Sequence, residues 1–335
     1  MIRVAVLSNW HIHAKDYIRQ ALEHPDTELA AMWDEDPQRG ARLSAEHRVP
    51  YYEDLDELLT DPQIDAVIVT APTNRHCEVM VKAAQAGKHI FTEKVLAPTF
   101  RECNEILRAV EASGVKLVVS MPQLYESYTL AIQEILAQGL LGELTSVRVR
   151  RSNNGVVKYE PRGFPYFFDK EQSCGGALID VGCHPMYVAR LFLGMPESVS
   201  AHYGYLTGKE VEDNAVSVLK YANGALGIVE SGFANPFSPF CMEVHGREGV
   251  VLCGYPEHRV QLRTVRYGEE TAKEWRTIEL PQRRPYAYEQ WVSHIREGTF
   301  AEENIRMAVD LTKLMEASNL SAAHNRAIDI DSLPS

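Results

Sequence analysis

Asp180 and His184 stand four residues apart in the run Gly175-Gly-Ala-Leu-Ile-Asp-Val-Gly-Cys-His184. On a helix, positions i and i+4 share one face, so a carboxylate and an imidazole would point the same way. A histidine oriented by a carboxylate is the smallest device for moving a proton near neutral pH. Gly182 between them leaves room for something to approach the backbone. The same residues also read as a capped helix start that carries a histidine, and the segment alone does not decide between the two. Cys183 beside His184 reads as a small buried thiol rather than a nucleophile.

The elements that must carry these groups follow from length and patterning. At 335 residues two domains are expected, and 45% hydrophobic with 24% charged residues is ordinary globular composition. A net charge of −12 argues against nucleic acid or an anionic membrane as the main partner. No apolar run reaches the roughly 20 residues of a membrane helix, and Met1-Ile-Arg-Val-Ala-Val-Leu7 enters a strand at once, so no secretory leader is expected. Six scattered cysteines without a Cys-x-x-Cys suggest neither zinc knuckle nor disulfide framework, and a reduced cytoplasm is expected.

In the first half, apolar runs at Val4–Leu7, Glu28–Trp33, Ala66–Val69, His89–Phe91 and Lys116–Val119 alternate with amphipathic stretches. Such runs suit strands buried on both faces of a parallel sheet. Helices are predicted after Asp36-Pro37, after Asp54, over 78–86 and over 100–112, the last two closed by Gly87 and Gly114. The alternation predicts a doubly wound α/β domain over residues 1–123. Ligands of such sheets bind at the carboxyl ends of the strands. The residues to read there are Ser8–Ala14, Asp34–Asp36, Thr70–His76, Thr92–Val95 and Ser120–Gln123.

Asp34 ends the second strand in the register of the acidic residue that binds an adenosine ribose diol, with Glu35 and Asp36 adjoining and no Arg immediately following. NAD is therefore expected over NADP. The plainer reading is a helix N-cap cluster. The first turn departs from the dinucleotide pattern: Ser8, Trp10 and His13 occupy the three positions of Gly-x-Gly-x-x-Gly. A Trp at the second would occupy space that the phosphates use, so Ser8, Asn9 or the histidines would have to act as side-chain donors. His11-Ile-His13 also suggests a metal, but the later aspartate ligands of such sites are missing from the other strand ends. No metal is expected.

The second half, 124–335, reads as a helix over 127–138, a strand over 145–151, an irregular stretch and the Asp180 helix. Strands follow over 198–205, 215–221, 226–231, 240–245 and 249–253, many alternating apolar and polar residues as in an open sheet covered on one face. Final helices near 288–297 and 304–320 are expected to pack back on the domains. The aromatic, Gly- and Pro-rich segments 152–173 and 232–239 are expected to line a substrate cleft.

Three motifs in order, Thr70-Ala-Pro-Thr-Asn-Arg-His76, Ala86-Gly-Lys-His-Ile-Phe-Thr-Glu-Lys94 and Gly175–His184, resemble those of the glucose–fructose oxidoreductase and inositol dehydrogenase (Gfo/Idh/MocA) family. Val211-Glu-Asp-Asn-Ala215 and Asn223-Gly-Ala-Leu226 resemble its second-domain strands, so the resemblance runs through nearly the whole chain. It implies an N-terminal Rossmann domain that binds NAD and a C-terminal α/β domain with a large, open, mixed and mainly antiparallel sheet. It also implies subunit contacts through that sheet, giving a homodimer or homotetramer. By the resemblance, Lys94 sits beside the reacting carbon, and Asp180 and His184 complete the catalytic set. The expected cofactor-binding residues are Ser8, Asn9, Trp10, His11, His13, Asp34, Thr70, Pro72, Asn74, His76, Glu93 and Lys94, of which Asn74, His76, Glu93 and Lys94 are those the resemblance implies. Gln123, Tyr166 and Phe167 join Lys94, Asp180 and His184 on the substrate side. Val95 stands where the family has Pro, which removes the residue that favours a cis peptide. Leu124 stands where an Arg is common, and Phe164-Pro-Tyr-Phe-Phe168 replaces a frequent Trp-Arg, which points to a substrate that is not strongly anionic.

The implied function is hydride transfer between NAD and a secondary alcohol or carbonyl of a sugar, cyclitol or related polyol. His184, with Asp180 holding its other nitrogen, suits the proton, and Lys94 suits the developing alkoxide. Which of Lys94 and His184 takes the proton stays open. Two rivals stand beside this reading. One is a hydrolase or isomerase of sugars that uses NAD redox-neutrally or a metal; the other is a sugar-binding regulator without cofactor.

Overall fold

Strands without a polar face assemble the first sheet. In a computed structural model describing residues 1–155, 164–235, 237–238, 240–254 and 259–335, β1 (Ile2–Leu7), β2 (Thr27–Trp33), β3 (Tyr51–Tyr52), β4 (Ala66–Val69), β5 (His89–Thr92) and β6 (Leu117–Val119) form one parallel sheet. Its order is β3-β2-β1-β4-β5-β6. Val4 to Leu7 and Ala66 to Val69 are fully buried, as expected of central parallel strands covered by helices. The helices are α1 (Ala14–Glu23), α2 (Pro37–His47), α3 (Leu55–Thr60), α4 (His76–Gln85) and α5 (Phe100–Ser113). Asp36, Asp54 and Thr99 cap α2, α3 and α5 by accepting first-turn N–H groups, and Gly114 ends α5 at φ 67°. The short β3 lies outside the predicted strands; two tyrosines give too little pattern to read.

The chain divides into two compact units, one of residues 1–121 with 285–312, the other of 122–284 with 313–334. In the first, the helix Ala287–Glu297 sets Tyr288 and Trp291 against Phe91, with ring centroids 5.4 and 5.7 Å apart. The Asn304 amide closes the edge of the sheet, accepting from Val119 N and donating to Val119 O, both at 2.8 Å.

The second unit is built on β7 (Leu144–Ser152), β8 (Ser198–Gly204), β9 (Asn214–Lys220), β10 (Leu226–Gly232), β11 (Cys241–Gly246), β12 (Gly249–Cys253), β13 (Val260–Thr264), β14 (Arg276–Ile278) and β15 (Ile328–Asp329). These nine strands run in the order β14-β13-β12-β11-β7-β10-β9-β8-β15. β7 and β10 are parallel and the other pairs antiparallel, which makes the large mixed sheet that was expected. β13, β14 and β15, at the two ends, were not predicted. Val147, Val149 and Val229 are fully buried, and the helix Cys183–Leu193 packs against their strands. Ile228, Glu230, Val216 and Val218 alternate with buried neighbours and stay half-exposed. Of the predicted cleft loops, residues 156–163, 236 and 239 lie outside the described residues. No helix among the described residues is long and apolar enough to cross a membrane.

Candidate active site

The first turn keeps a glycine-like backbone without glycine. Ser8 follows β1 at φ 74°, the left-handed region. Its carbonyl accepts from Thr70 Oγ1 at 2.5 Å and its Oγ from Trp10 N at 3.1 Å. Asn9 N donates to Asp34 Oδ2 (2.9 Å), His11 N to Thr70 O (3.1 Å) and His13 N to His11 Nδ1 (3.2 Å). Four backbone donors of the turn are thus already engaged by the protein. Trp10 is 3% exposed, so its indole packs into the interior. The Asn9 amide, by contrast, is buried with neither Oδ1 nor Nδ2 hydrogen-bonded among the described residues. An orphaned buried amide is costly unless something else meets it. A dinucleotide at this strand end would meet it, so the turn fits the cofactor through a side chain instead of glycine N–H groups.

Asp34 ties the turn to α2. Its side chain is fully buried and accepts from Asn9 N, from Asp36 N (2.9 Å), and from Arg39 through Nε (2.9 Å) and Nη2 (2.7 Å). Arg39 also reaches Glu35 at 2.5 Å. It lies five positions along the chain from Asp34 and only the helix turns it back, which is why a search for an adjacent Arg misses it. Burial and the neighbouring Asp34 charge push the Glu35 carboxyl above its usual range.

The loop after β4 is braced from behind. His76 is buried with Nδ1 2.9 Å from Val95 O and Nε2 3.1 Å from Ala71 O, so both ring nitrogens face main-chain carbonyls. Burial lowers its pKa. It links the β4 loop to the β5 loop, while Pro72 is buried and Asn74 is the exposed member of that segment. The Lys94–Val95 peptide is cis although no proline follows Lys94. Removal of the family's Pro has therefore not removed the cis bond.

Glu93 and Lys94, 1% and 5% exposed, end β5 inside the protein, not as a solvated pair. Glu93 Oε1 accepts from the Tyr17 hydroxyl, which lies 2.7 Å from Ser120 Oγ, and is 2.9 Å from His13 Nδ1 and 3.7 Å from His11 Nδ1. Glu93 Oε2 accepts from Lys94 N at 3.1 Å. Burial alone would raise the Glu93 carboxyl, but His11, His13 and Lys94 together hold it well below the usual carboxylate range. Tyr17, pushed far up by burial and then by Glu93, stays a neutral donor. Nothing in its sequence position marked Tyr17; it reaches Glu93 one helical turn beyond His13.

In the second unit the Asp180 segment departs from a regular helix. Leu178–Gly182 is one π-helical turn leading into the helix Cys183–Leu193, a feature frequent at functional sites. Glu212 shapes its start: Oε2 accepts from Gly176 N (2.8 Å), Oε1 from Leu178 N (2.9 Å), and its own carbonyl from Ala177 N (2.8 Å). A Cβ on Gly176 would stand 2.1 Å from Glu212 O, and one on Gly182 2.7 Å from Ser231 Oγ. The room at Gly182 is therefore filled by β10, not left for a ligand. Asp180 is half-buried and His184 is 4% exposed.

His184 Nδ1 lies 2.9 Å from the Tyr187 hydroxyl, a partner that the sequence did not reveal. Gln123 N donates to the same oxygen at 3.0 Å, and the Gln123 side chain accepts from Tyr128. Burial keeps the Tyr187 phenol well above its ordinary pKa. Gln123 is thus fixed at both ends beside the His184 pair. Tyr166 is half-exposed, whereas Phe167 is 3% exposed and stacked on Tyr166 at 6.1 Å; Phe167 is packing, and Tyr166 is the member that offers surface.

Comparison with known proteins settles the lineage. A family profile described as "Oxidoreductase family, NAD-binding Rossmann fold" matches residues 3–121, and the GFO/IDH/MocA C-terminal domain matches 129–252. The chain belongs to the Gfo/Idh/MocA oxidoreductase family. An NADP-dependent scyllo-inositol 2-dehydrogenase of Bacillus subtilis is 26% identical over 94% of this chain and 95% of its own. An NAD-dependent scyllo-inositol 2-dehydrogenase of the same organism is 29% identical over 77% of this chain and 75% of its own. A solved levoglucosan dehydrogenase in complex with NADH and levoglucosan superposes with a TM-score of 0.80 at 20% identity, covering 98% of this chain and all of that one. As a Gfo/Idh/MocA member, the chain is an oxidoreductase with an NAD-binding Rossmann domain, and its altered first turn is a variation inside that family.

Proposed function

We propose that this oxidoreductase transfers a hydride between NAD and a secondary alcohol or carbonyl of a sugar, cyclitol or related polyol, with Lys94, Asp180 and His184 as the working residues. The observation that carries the reading is the buried Asn9 side-chain amide beside Asp34, without a hydrogen bond among the described residues, in a segment, 3–121, that matches the NAD-binding family. Asn9 and Asp34 would hold the cofactor at the ends of β1 and β2, and Thr70 and His76 would support the turn from behind. When bound, NAD accepts or returns the hydride. His184 Nε2 exchanges the reaction's proton while Tyr187 holds Nδ1. Lys94 donates to the oxygen on which charge develops, and Asp180 orients the substrate hydroxyl, since Tyr187 and not Asp180 stands at His184 Nδ1.

Inositol and anhydrosugar dehydrogenases among the relatives support a neutral polyhydroxylated substrate, consistent with Leu124 and the aromatic 164–168 segment. NAD is preferred because Asp34 and Glu35 oppose a 2′-phosphate and Arg39, bound to both, neutralises only one of them. The enzyme works in the cytoplasm as a homo-oligomer joined through the half-exposed face of the large sheet. Steady-state assays with NAD and NADP over a panel of inositols, aldoses and anhydrosugars test the reading. Reduction of NAD by at least one member supports it; no turnover with either cofactor, together with no thermal shift on adding them, overturns it and favours the cofactor-free regulator.

A further inference from the structure

His11, His13 and Glu93 converge from two strand ends that are far apart in sequence. The ligand-capable atoms of the three lie within 4.8 Å of one another. We propose that they form a site for a first-row divalent transition metal ion such as Zn2+. Zinc binds histidine nitrogen and carboxylate oxygen at about 2.0–2.2 Å, which sets tetrahedral ligand atoms roughly 3.3 Å apart. The separations here, 2.9 Å from His13 Nδ1 to Glu93 Oε1 and 3.7 Å from His11 Nδ1 to the same oxygen, bracket that spacing.

The hydrogen bonding favours a cation. His11 Nδ1 accepts the N–H of His13, so in the neutral ring that nitrogen carries its lone pair and the proton sits on Nε2. The same nitrogen lies 3.7 Å from Glu93 Oε1, and a metal ion bound to both atoms would take the place of the His13 N–H as the partner of that lone pair. The carboxylate is steadied by Tyr17 on Oε1 and by Lys94 N on Oε2, the outer contacts that keep a metal ligand in place. His11 and Glu93 are buried at 6% and 2% side-chain exposure, while His13 at 43% opens the cluster to solvent and gives an ion a way in. Two imidazoles and one carboxylate suit zinc, iron, cobalt or nickel better than magnesium or calcium. Three protein ligands leave a coordination position for water or an anionic oxygen. The ion would also bring positive charge to a turn in which four backbone donors are already engaged. A search for an aspartate at another strand end misses the site, because its third ligand is Glu93 at the end of β5.

The test uses the full chain, stripped with chelator and titrated with Zn2+ by calorimetry. Metal retained after gel filtration is then counted, and Co2+ is substituted as a spectroscopic probe. One zinc per chain is expected, with visible Co2+ bands of a low-coordinate nitrogen–oxygen site. His13→Ala should weaken zinc binding by more than the roughly tenfold that loss of an outer contact costs. His13 makes no side-chain cap to α1, so this variant keeps the helix start. Glu93→Gln should do the same, and circular dichroism checks its fold. Absence of stoichiometric zinc in the parent chain, or equal retention by His13→Ala, overturns the proposal and leaves a hydrogen-bonded network only. Neither readout involves nicotinamide or turnover, so its failure is distinguishable from failure of the proposed reaction.

Discussion

Tyr187 stands one helical turn beyond His184 and holds its Nδ1 at 2.9 Å, while the same phenol oxygen accepts Gln123 N at 3.0 Å. One buried hydroxyl thereby fixes both the His184 imidazole, proposed above to handle the proton, and the chain entering the second unit.

Tyr187→Phe removes the hydroxyl and keeps the ring. We expect kcat/KM to fall by about 10²-fold, the lower end of what general acid–base groups contribute, with a shifted pH–rate profile. The Gln123 N–H left without its partner should cost about 1–3 kcal/mol. Rate profiles and urea melts measure the two effects separately.

Asn9→Ala should separate binding from folding. The amide makes no hydrogen bond among the described residues, so its loss should leave stability unchanged or slightly raised. If it meets the dinucleotide, the KM for NAD should rise by about tenfold, the equivalent of one hydrogen bond of roughly 1.4 kcal/mol. A stability loss with unaltered KM would contradict this role.

Glu212→Ala leaves Gly176 N and Leu178 N without their acceptor. Denaturant unfolding should show a loss of about 1–3 kcal/mol for each buried N–H. Because those groups start the π turn that carries Asp180, kcat should fall more than KM rises. Glu212→Gln, which keeps one acceptor oxygen, should recover part of both.

His76 supplies a pH dependence whose sign is fixed by burial. Its folded pKa lies below the unfolded value of about 6.5. Under acid the unfolded chain takes a proton there that the native state refuses. Its contribution to stability is complete above pH about 6.5 and is lost progressively as pH falls below it. Thermal melts across that range should show the decline, and His76→Gln should flatten it.

The sequence by itself determined the alternation of buried strands and capped helices, hence the parallel sheet and the strand ends where ligands gather. Local pattern suffices there, because period and capping are properties of neighbouring residues. It also showed Lys94, Asp180 and His184 through their motifs. Only the tertiary structure decided what those residues touch. Tyr17 and the two histidines of the first turn meet Glu93 across some eighty positions of chain, and Glu212 meets Gly176 across thirty-six. Trp10 turned inward, and the Asn9 side-chain amide was buried without a hydrogen bond among the described residues. The spacing of Asp180 and His184 was legible in the chain, but the π turn was not, and it lies where Glu212 and Ser231 closely approach two glycines. Hydrogen bonds and close contacts between distant segments leave no periodic trace, so they become visible only once the chain has folded.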